Sequence, residues 1–372
     1  MILAWFSRDL VNQLNRGIGA GGGLCLSLCA AEISIIGCGA LERSGGCKMK
    51  RYSKLVLAIF GSIAFLSNAA FSQQPTIRIA WNKTWDVLPL IIAENNGYWK
   101  SRGLEVKYTE ISGSPQGIEV IHSGGADAAS VSPVTLITAR EKGFAISGIA
   151  ALNGKSDPAQ NTYLASPAIK SVKDLQGKKI GISNYGGDFE ITLAALLKAN
   201  GLDIKKDVTT VIVPLSAIPT AIANGQIDAG SSIPTLTTIA LKQYPDKVRL
   251  LAGTNDIPQI QTLQNFQTLV LVMGNKFLTE QRPAATKFAQ GFLEAIKFIK
   301  ANPKKSLEIW AEFSGNKIVA EWAAPPDYPP DGQITAGGIA FEATHLLDLG
   351  YIKTPVNTET LIDRALLAEA AR

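Results

Sequence analysis

Four cysteines occur in the 372 residues, at Cys25, Cys29, Cys38 and Cys47, and none follows Met49. From there on the chain can form no disulfide, offer no thiolate nucleophile and bind no metal through cysteine. Histidine occurs twice, at His122 and His345, each on a stretch that reads as a helix, where a surface or capping role outweighs that of a base. No Gly-x-Ser-x-Gly elbow, His-Glu-x-x-His helix or P-loop is present. No catalytic residue, cofactor or metal is therefore expected. Charge of one sign is also missing. Of 36 basic and 31 acidic residues, seven and three lie in the first 72, so the remainder carries 29 against 28. Nucleic-acid and membrane-surface binding need clustered basic charge, and neither is expected.

Long apolar runs are missing too. The run Leu55–Leu66 is 12 residues, against about 20 for a membrane-spanning helix. It follows a basic segment that opens at Met49 (Lys50-Arg51-Tyr52-Ser53-Lys54), and it precedes Ala70-Phe71-Ser72, with small residues at the first and third positions before Gln73. That order is a secretory signal peptide over 49–72, cleaved near Ser72/Gln73. Residues 1–48 then read as a mis-assigned upstream start or as disorder. Their Gly17-Ile18-Gly19-Ala20-Gly21-Gly22 matches a dinucleotide fingerprint in letters only, with no strand before it. Export and the lack of cysteine together suggest a bacterial periplasm.

What is present is a repeat. Gly124-Gly125-Ala126-Asp127-Ala128-Ala129-Ser130-Val131-Ser132-Pro133 returns 101 positions later as Gly225-Gln226-Ile227-Asp228-Ala229-Gly230-Ser231-Ser232-Ile233-Pro234. Ala139 and Ala240, and Ile79 and Ile180, share that offset. Two copies at so long a period imply two similar lobes rather than a solenoid. Strand patterns at Thr76–Trp81, Leu104–Tyr108, Asp127–Val131, Ile146–Ala151 and Thr162–Ala165 alternate with helices at Val87–Asn96 and Gln116–Ser123. A second series follows, with strands at Lys179–Ser183, Thr210–Val213, Asp228–Ser231, Arg249–Ala252 and Thr268–Met273 and helices at Phe189–Asn200 and Ile218–Asn224. The alternation predicts an α/β fold with largely parallel sheets. Helices are expected at Pro283–Ala301, Ser306–Phe313, Ile334–Leu349 and Thr358–Ala371, with a Pro-rich loop at Ala323–Pro330.

Asn96-Gly97-Tyr98-Trp99, Gly103-Leu104-Glu105-Val106, the two Gly-x-x-Asp-Ala segments at Gly124–Ala128 and Gly225–Ala229, and Lys170-Ser171-Val172-Lys173-Asp174-Leu175-Gln176-Gly177-Lys178-Lys179-Ile180 stand in a characteristic order. Over about residues 75–310 this order resembles the nitrate/taurine/alkanesulfonate (NMT1/THI5-like) substrate-binding proteins of ABC importers. The resemblance implies a type II periplasmic-binding-protein fold. Two βαβ lobes would be joined by hinge strands near Thr162–Ala165 and Phe266–Val272, with a ligand cleft between them. Residues 73–165 and 266–372 would build the first lobe and residues 166–265 the second. Expected partners are a small-molecule ligand and, through it, a membrane permease and its ATPase; a monomer is expected.

Ligands of open α/β sheets sit beyond the carboxyl ends of the strands. That rule selects Trp81, Asn82 and Trp85 with Lys83 and Thr84, then Ser112, Gly113, Ser114 and Pro115, then Ser130 and Ser132. In the second lobe it selects Asn184, Tyr185, Gly186, Gly187, Asp188 and Phe189, then Ser231 and Ser232. Several of these begin helices, whose free N–H groups favour an anion; the plainer role for the serines is helix capping, and for the tryptophans core packing. Asp188 either caps its helix or faces the cleft, where it repels an anion and suits an amine. Lys83 is the one cation in these loops. Two ligand readings stay open: a sulfonate, nitrate or organic monoanion, or a thiamine-precursor aminopyrimidine or other aromatic solute. A periplasmic enzyme or sensor of the same fold is the third reading. Relatives that make the thiamine pyrimidine carry a cysteine-rich segment, which is missing here.

Overall fold

The computed structural model describes residues 74–154, 160–315 and 325–372. The expected signal peptide, residues 1–48 and the start of the Pro-rich loop lie outside the described residues. In the first lobe, β1 (Thr76–Trp81) leads to α1 (Leu88–Asn95), β2 (Glu105–Glu110) to α2 (Ser114–His122), and β3 (Ala128–Val131) to α3 (Pro133–Glu141), before β4 (Ile146–Ala151). In the second, β5 (Thr162–Ala165) precedes β6 (Lys179–Ile182), α4 (Asp188–Ala199), β7 (Thr209–Ile212), α5 (Ile218–Ala223), β8 (Ala229–Ser232), α6 (Pro234–Gln243) and β9 (Arg249–Gly253). The chain then passes through α7 (Pro258–Gln261), β10 (Val270–Gly274), α8 (Asn275–Glu280), α9 (Arg282–Ala301), α10 (Pro303–Ser314), α11 (Ala336–Leu349) and α12 (Arg364–Ala370).

The two sheets have the same plan, β2-β1-β3-β10-β4 and β7-β6-β8-β5-β9. In each, four strands run in one direction and one, β10 or β5, runs against them, so the sheets are largely parallel with a single reversed strand. The reason is connectivity. The fourth strand of each sheet arrives from the other lobe, β5 directly after β4 and β10 after β9, and it enters against the direction of the strands already there. β5 pairs with β8 and β9, so Thr162–Ala165 belongs to the second sheet. The first crossing between sheets is therefore the segment before Thr162, and the expected boundary after Ala165 is corrected accordingly.

The 101-residue offset is a register. Ile79 pairs with Ala128 in the first sheet and Ile180 with Ala229 in the second. Asp127 accepts the Arg78 N–H at 2.8 Å and donates its own to the Arg78 carbonyl; Asp228 does the same with Lys179. Gly124 and Gly225, at φ 75° and 67°, turn the chain out of the preceding helices in a conformation that disfavours any other residue. The repeated Gly-x-x-Asp-Ala signature therefore ties a helix end to a strand start. It lies at the amino end of its strand, away from the ligand edge.

Other motifs are structural as well. Trp99 is 1% exposed, stacks on Phe288 at 5.1 Å and donates Nε1–H to the Phe288 carbonyl. Gly291 of α9 lets that indole in, since a Cβ there would meet Trp99 Cδ1 at 2.5 Å. The expected closing helix from Thr358 to Ala371 is broken. Ile362 forms a bridge with Gly148 of β4, and the Asp363 side chain accepts from Ala365 and Leu366 to start α12 afresh. Gly291→Ala is expected to cost about 1–3 kcal/mol by overpacking against Trp99. A urea midpoint equal to that of the parent chain would contradict this packing.

Candidate functional site

The loops selected by sequence do lie at the carboxyl ends of parallel strands, but they are occupied in different ways. Trp81 is 6% exposed and spent on the core, stacked on Tyr108 at 4.2 Å and edge-on to Phe313. Trp85 stays partly exposed with its ring edge-on to Trp310 at 5.2 Å. The Asn82 N–H donates to Ser130 Oγ at 2.9 Å. Ser112 bonds Gln116 through both its N–H and its hydroxyl, and Gly113 is the N-cap of α2. Ser114 Oγ accepts the Ser132 N–H, and Ser132 caps α3 by accepting from Thr135. Ser232 is fully buried and accepts from Thr237. Tyr185 is half exposed and donates to the Thr210 carbonyl. Of these serines Ser132 alone caps a helix; Ser114 and Ser130 instead accept backbone N–H groups of neighbouring loops. Lys83 is engaged as well, 3.8 Å from Glu110 and 5.1 Å above the Phe313 ring.

Asp188 is different. The N-cap of α4 is Gly187, against whose Cα the Asn184 side chain is packed so closely that a Cβ would displace it. Asp188 is the first residue of the helix rather than its N-cap, with the Asp188 and Phe189 amides of the first turn within reach of its carboxylate. Its Oδ2 accepts from Asn161 Nδ2 at 3.0 Å. Asn161 is buried at the end of the first crossing and also reaches Thr192. The other end of that crossing holds Asn153, fully buried, whose Nδ2 donates to Asp86 Oδ1 at 2.9 Å and to Thr268 Oγ1 at 2.8 Å. Its Oδ1 accepts the Thr268 and Leu269 N–H groups, which fastens the first crossing to the second. One crossing thus presents two carboxylates, Asp86 from the first lobe and Asp188 from the second, each on an asparagine amide.

Neither carboxylate has a basic partner among the described residues. Burial raises the pKa of Asp86, against the help of Asn153. Burial likewise raises Asp188, and the Asp86 charge adds to the rise. Beyond them lies Glu342 of α11, fully buried, which burial pushes well above the usual carboxylate range and which the Asp188 charge pushes further; the Val134 amide at the start of α3 is the one group that opposes this. Tyr328, buried and donating to the Asp86 carbonyl, is raised by burial and by the Asp86 charge. α11 packs against α3 of the first lobe and α4 of the second, so Glu342 stands behind the loops of both.

Asp86, Asn153, Asn161 and Glu342 escaped the sequence reading. Asp86 adjoins a selected loop, and its signal was the acid beside Trp85. Glu342 was visible only as a lone acid on the apolar face of a helix. Among the described residues no group of three or more His, Cys, Asp or Glu could hold a metal ion. His122 lies edge-on to Phe144, and His345 meets the Phe341 carbonyl, so neither bonds these acids. A surface basin of about 590 Å³ lies between α4 and α11 and is lined by Lys198, Lys205 and Asp348, away from the paired acids.

Folded, the three carboxyls keep their protons to higher pH than they do unfolded. Their contribution to stability is complete below about pH 4.5 for Glu342 and is lost as pH climbs through the raised value. Glu342→Gln, which stays neutral, is expected to flatten the fall of Tm between pH 5 and pH 8 by about 2 °C or more. Parallel melting profiles for parent and variant would contradict it.

A model of the family described as NMT1/THI5 like matches residues 84–306. A 4-amino-5-hydroxymethyl-2-methylpyrimidine phosphate synthase of Saccharomyces cerevisiae, THI13, is 25% identical over 244 residues, covering 64% of this chain and 70% of the yeast protein. A Brucella abortus protein named only as a binding protein is 27% identical over 271 residues, covering 71% and 79%. Among solved structures, the periplasmic aliphatic sulphonate binding protein SsuA of Escherichia coli aligns with a TM-score of 0.64 at 18% identity, over 78% of this chain and 92% of that one. The periplasmic nitrate-binding protein NrtA of Synechocystis aligns at 0.63 and 15% identity, over 80% and 88%. At such identities the structural likeness shows the fold, that of periplasmic binding proteins. The family match runs from the loop that holds Asp86 through nine of the ten strands, and the chain belongs to the NMT1/THI5-like family.

Proposed function

We propose that this chain is the extracytoplasmic receptor of an ABC importer, and that its ligand is a small solute presenting N–H donors or positive charge, such as an amine or an aminated ring. The observation that carries this is the pair Asp86 and Asp188, one from each lobe, both partly buried and with no cation bonded to either among the described residues. A ligand N–H or ammonium between them supplies the missing partner, and gains more there than in water because the groups are partly desolvated. By touching both lobes it favours the closed form, which is what a permease would recognise. The monoanion reading has less support. Lys83, its one candidate cation, is occupied by Glu110 and Phe313. An anion near Asp188 would add a like charge to a site already short of positive charge.

A binding role is favoured over catalysis. The solved neighbours are binding proteins, whereas the yeast relatives are named as synthases. This chain has no cysteine after Met49, and neither histidine bonds the paired acids. Periplasmic placement follows from the expected signal peptide and accords with the printed names of the neighbours.

Calorimetry on the protein from Gln73 onward, with amines and aminopyrimidines set against taurine, nitrate and alkanesulfonates, tests the reading. A donor-rich solute is expected to bind, and Asp188→Asn to weaken it roughly tenfold or more, as loss of a charge-assisted bond does. Binding of anions alone, strengthened by Asp188→Asn, would overturn it.

A further inference from the structure

Four buried side-chain atoms among the described residues have no hydrogen-bond partner: Ser231 Oγ, Gln267 Nε2 and both carboxyl oxygens of Glu342. Gln267 and Glu342 are 1% and 0% exposed. Buried polar atoms are almost always paired, so three orphans on two side chains call for a physical cause.

Gln267 and Glu342 share one face of one helix, α11, Glu342 as part of it and Gln267 packed on its start, whereas Ser231 lies on β8. Gln267 belongs to the second crossing, and its Oε1 accepts from the Thr335 N–H and hydroxyl at 3.2 and 2.9 Å, just before α11 begins. A Cβ on Gly338 would sit 3.5 Å from the same oxygen. Positions 335, 338 and 342 follow the i, i+3, i+7 spacing of a single helix face, so Glu342 stands one turn, about 5 Å, beyond the Gln267 amide. The Val134 amide and the Asp188 carboxylate are close enough to act on Glu342. Gln267 is the neighbour of Thr268, which holds Asn153 and through it Asp86. Gln267 thus adjoins the residue that holds the asparagine of the first acid, and Glu342 lies within reach of the charge of the second.

We infer that Gln267 and Glu342 form the inner end of the ligand site and select solutes that carry an N–H donor directly beside an acceptor, as in an amidine, a carboxamide or a ring amine next to a ring nitrogen. The Gln267 Nε2–H donates to the ligand acceptor, and a Glu342 oxygen accepts the ligand N–H. This rests on the reading of the cleft as a site for donor-rich solutes and adds the geometry of the second contact. Nothing at the paired acids distinguishes adjacent from separated donor and acceptor; the two orphaned groups do.

Two isomers isolate that feature. In 4-aminopyrimidine the amino group adjoins a ring nitrogen, and in 5-aminopyrimidine it does not. Benzylammonium, with no acceptor, reports on the acid pair alone. Affinities are measured for the chain from Gln73 onward and for Glu342→Met, a similarly shaped apolar replacement that removes buried unpaired atoms and so should not unfold the chain. The parent is expected to prefer 4-aminopyrimidine to 5-aminopyrimidine by roughly tenfold, about 1.4 kcal/mol. Glu342→Met is expected to erase the preference while leaving benzylammonium affinity within about twofold. Benzylammonium binding without discrimination between the isomers, or discrimination that survives Glu342→Met, overturns this inference alone. Failure of all three probes with the parent chain overturns it together with the reading on which it rests.

Discussion

Two like charges held toward one another at a hinge are the constraint on which the rest of the structure turns. Asp86 and Asp188 come from different lobes, and the amides that hold them, Asn153 and Asn161, are the two ends of a single crossing. A partly buried carboxylate without a cation is costly, and a second one nearby makes it more so. Folding alone gives no reason to build such a pair. A ligand that brings its own positive charge or N–H groups does. The buried asparagines keep both acids in place while the site is empty, so the cost of arranging them is met in the fold and not at the moment of binding.

The architecture supports this through its repeated half. Each lobe is three parallel strands with helices starting at their carboxyl ends, completed by one strand that runs back against them and a fifth that runs with them. The lobes are therefore coupled twice by strand exchange, and Asn153 binds the two crossings to each other. α11 adds a third link, since it packs on helices of both lobes, and Tyr351 just beyond it donates to Glu190 of the second lobe. Burial, aided by that bond, pushes the Tyr351 hydroxyl up to about 12, so it remains a donor throughout the physiological range.

Much of this was legible in the sequence. The 101-residue repeat is the register of two sheets, and the Gly-x-x-Asp-Ala segments are its fastenings, with Asp127 and Asp228 making the same backbone bonds. The return direction of β5 and β10 was not legible, because strand direction depends on which lobe the chain has just left and not on local pattern. At the site, Asp188 was readable from its place at a helix start, whereas its partners were not. Asn153 and Asn161 carry no motif, and they matter only because each holds one of the acids. Glu342 is separated from Asp188 by more than 150 residues and is brought close by the packing of α11 on α4. Trp81 misled for the opposite reason. Position after a strand suggested a cleft wall, but side-chain alternation along β1 points its ring into the core beside Tyr108.

The most direct test of the account is carboxyl titration of Asp86 and Asp188 by carbon-detected NMR, with and without an amine ligand. Raised values in the free protein that fall once the amine is bound are the result expected of two acids awaiting a positive partner. Ordinary values in the free protein, or values that do not move on binding, would contradict the claim that this pair anchors the ligand.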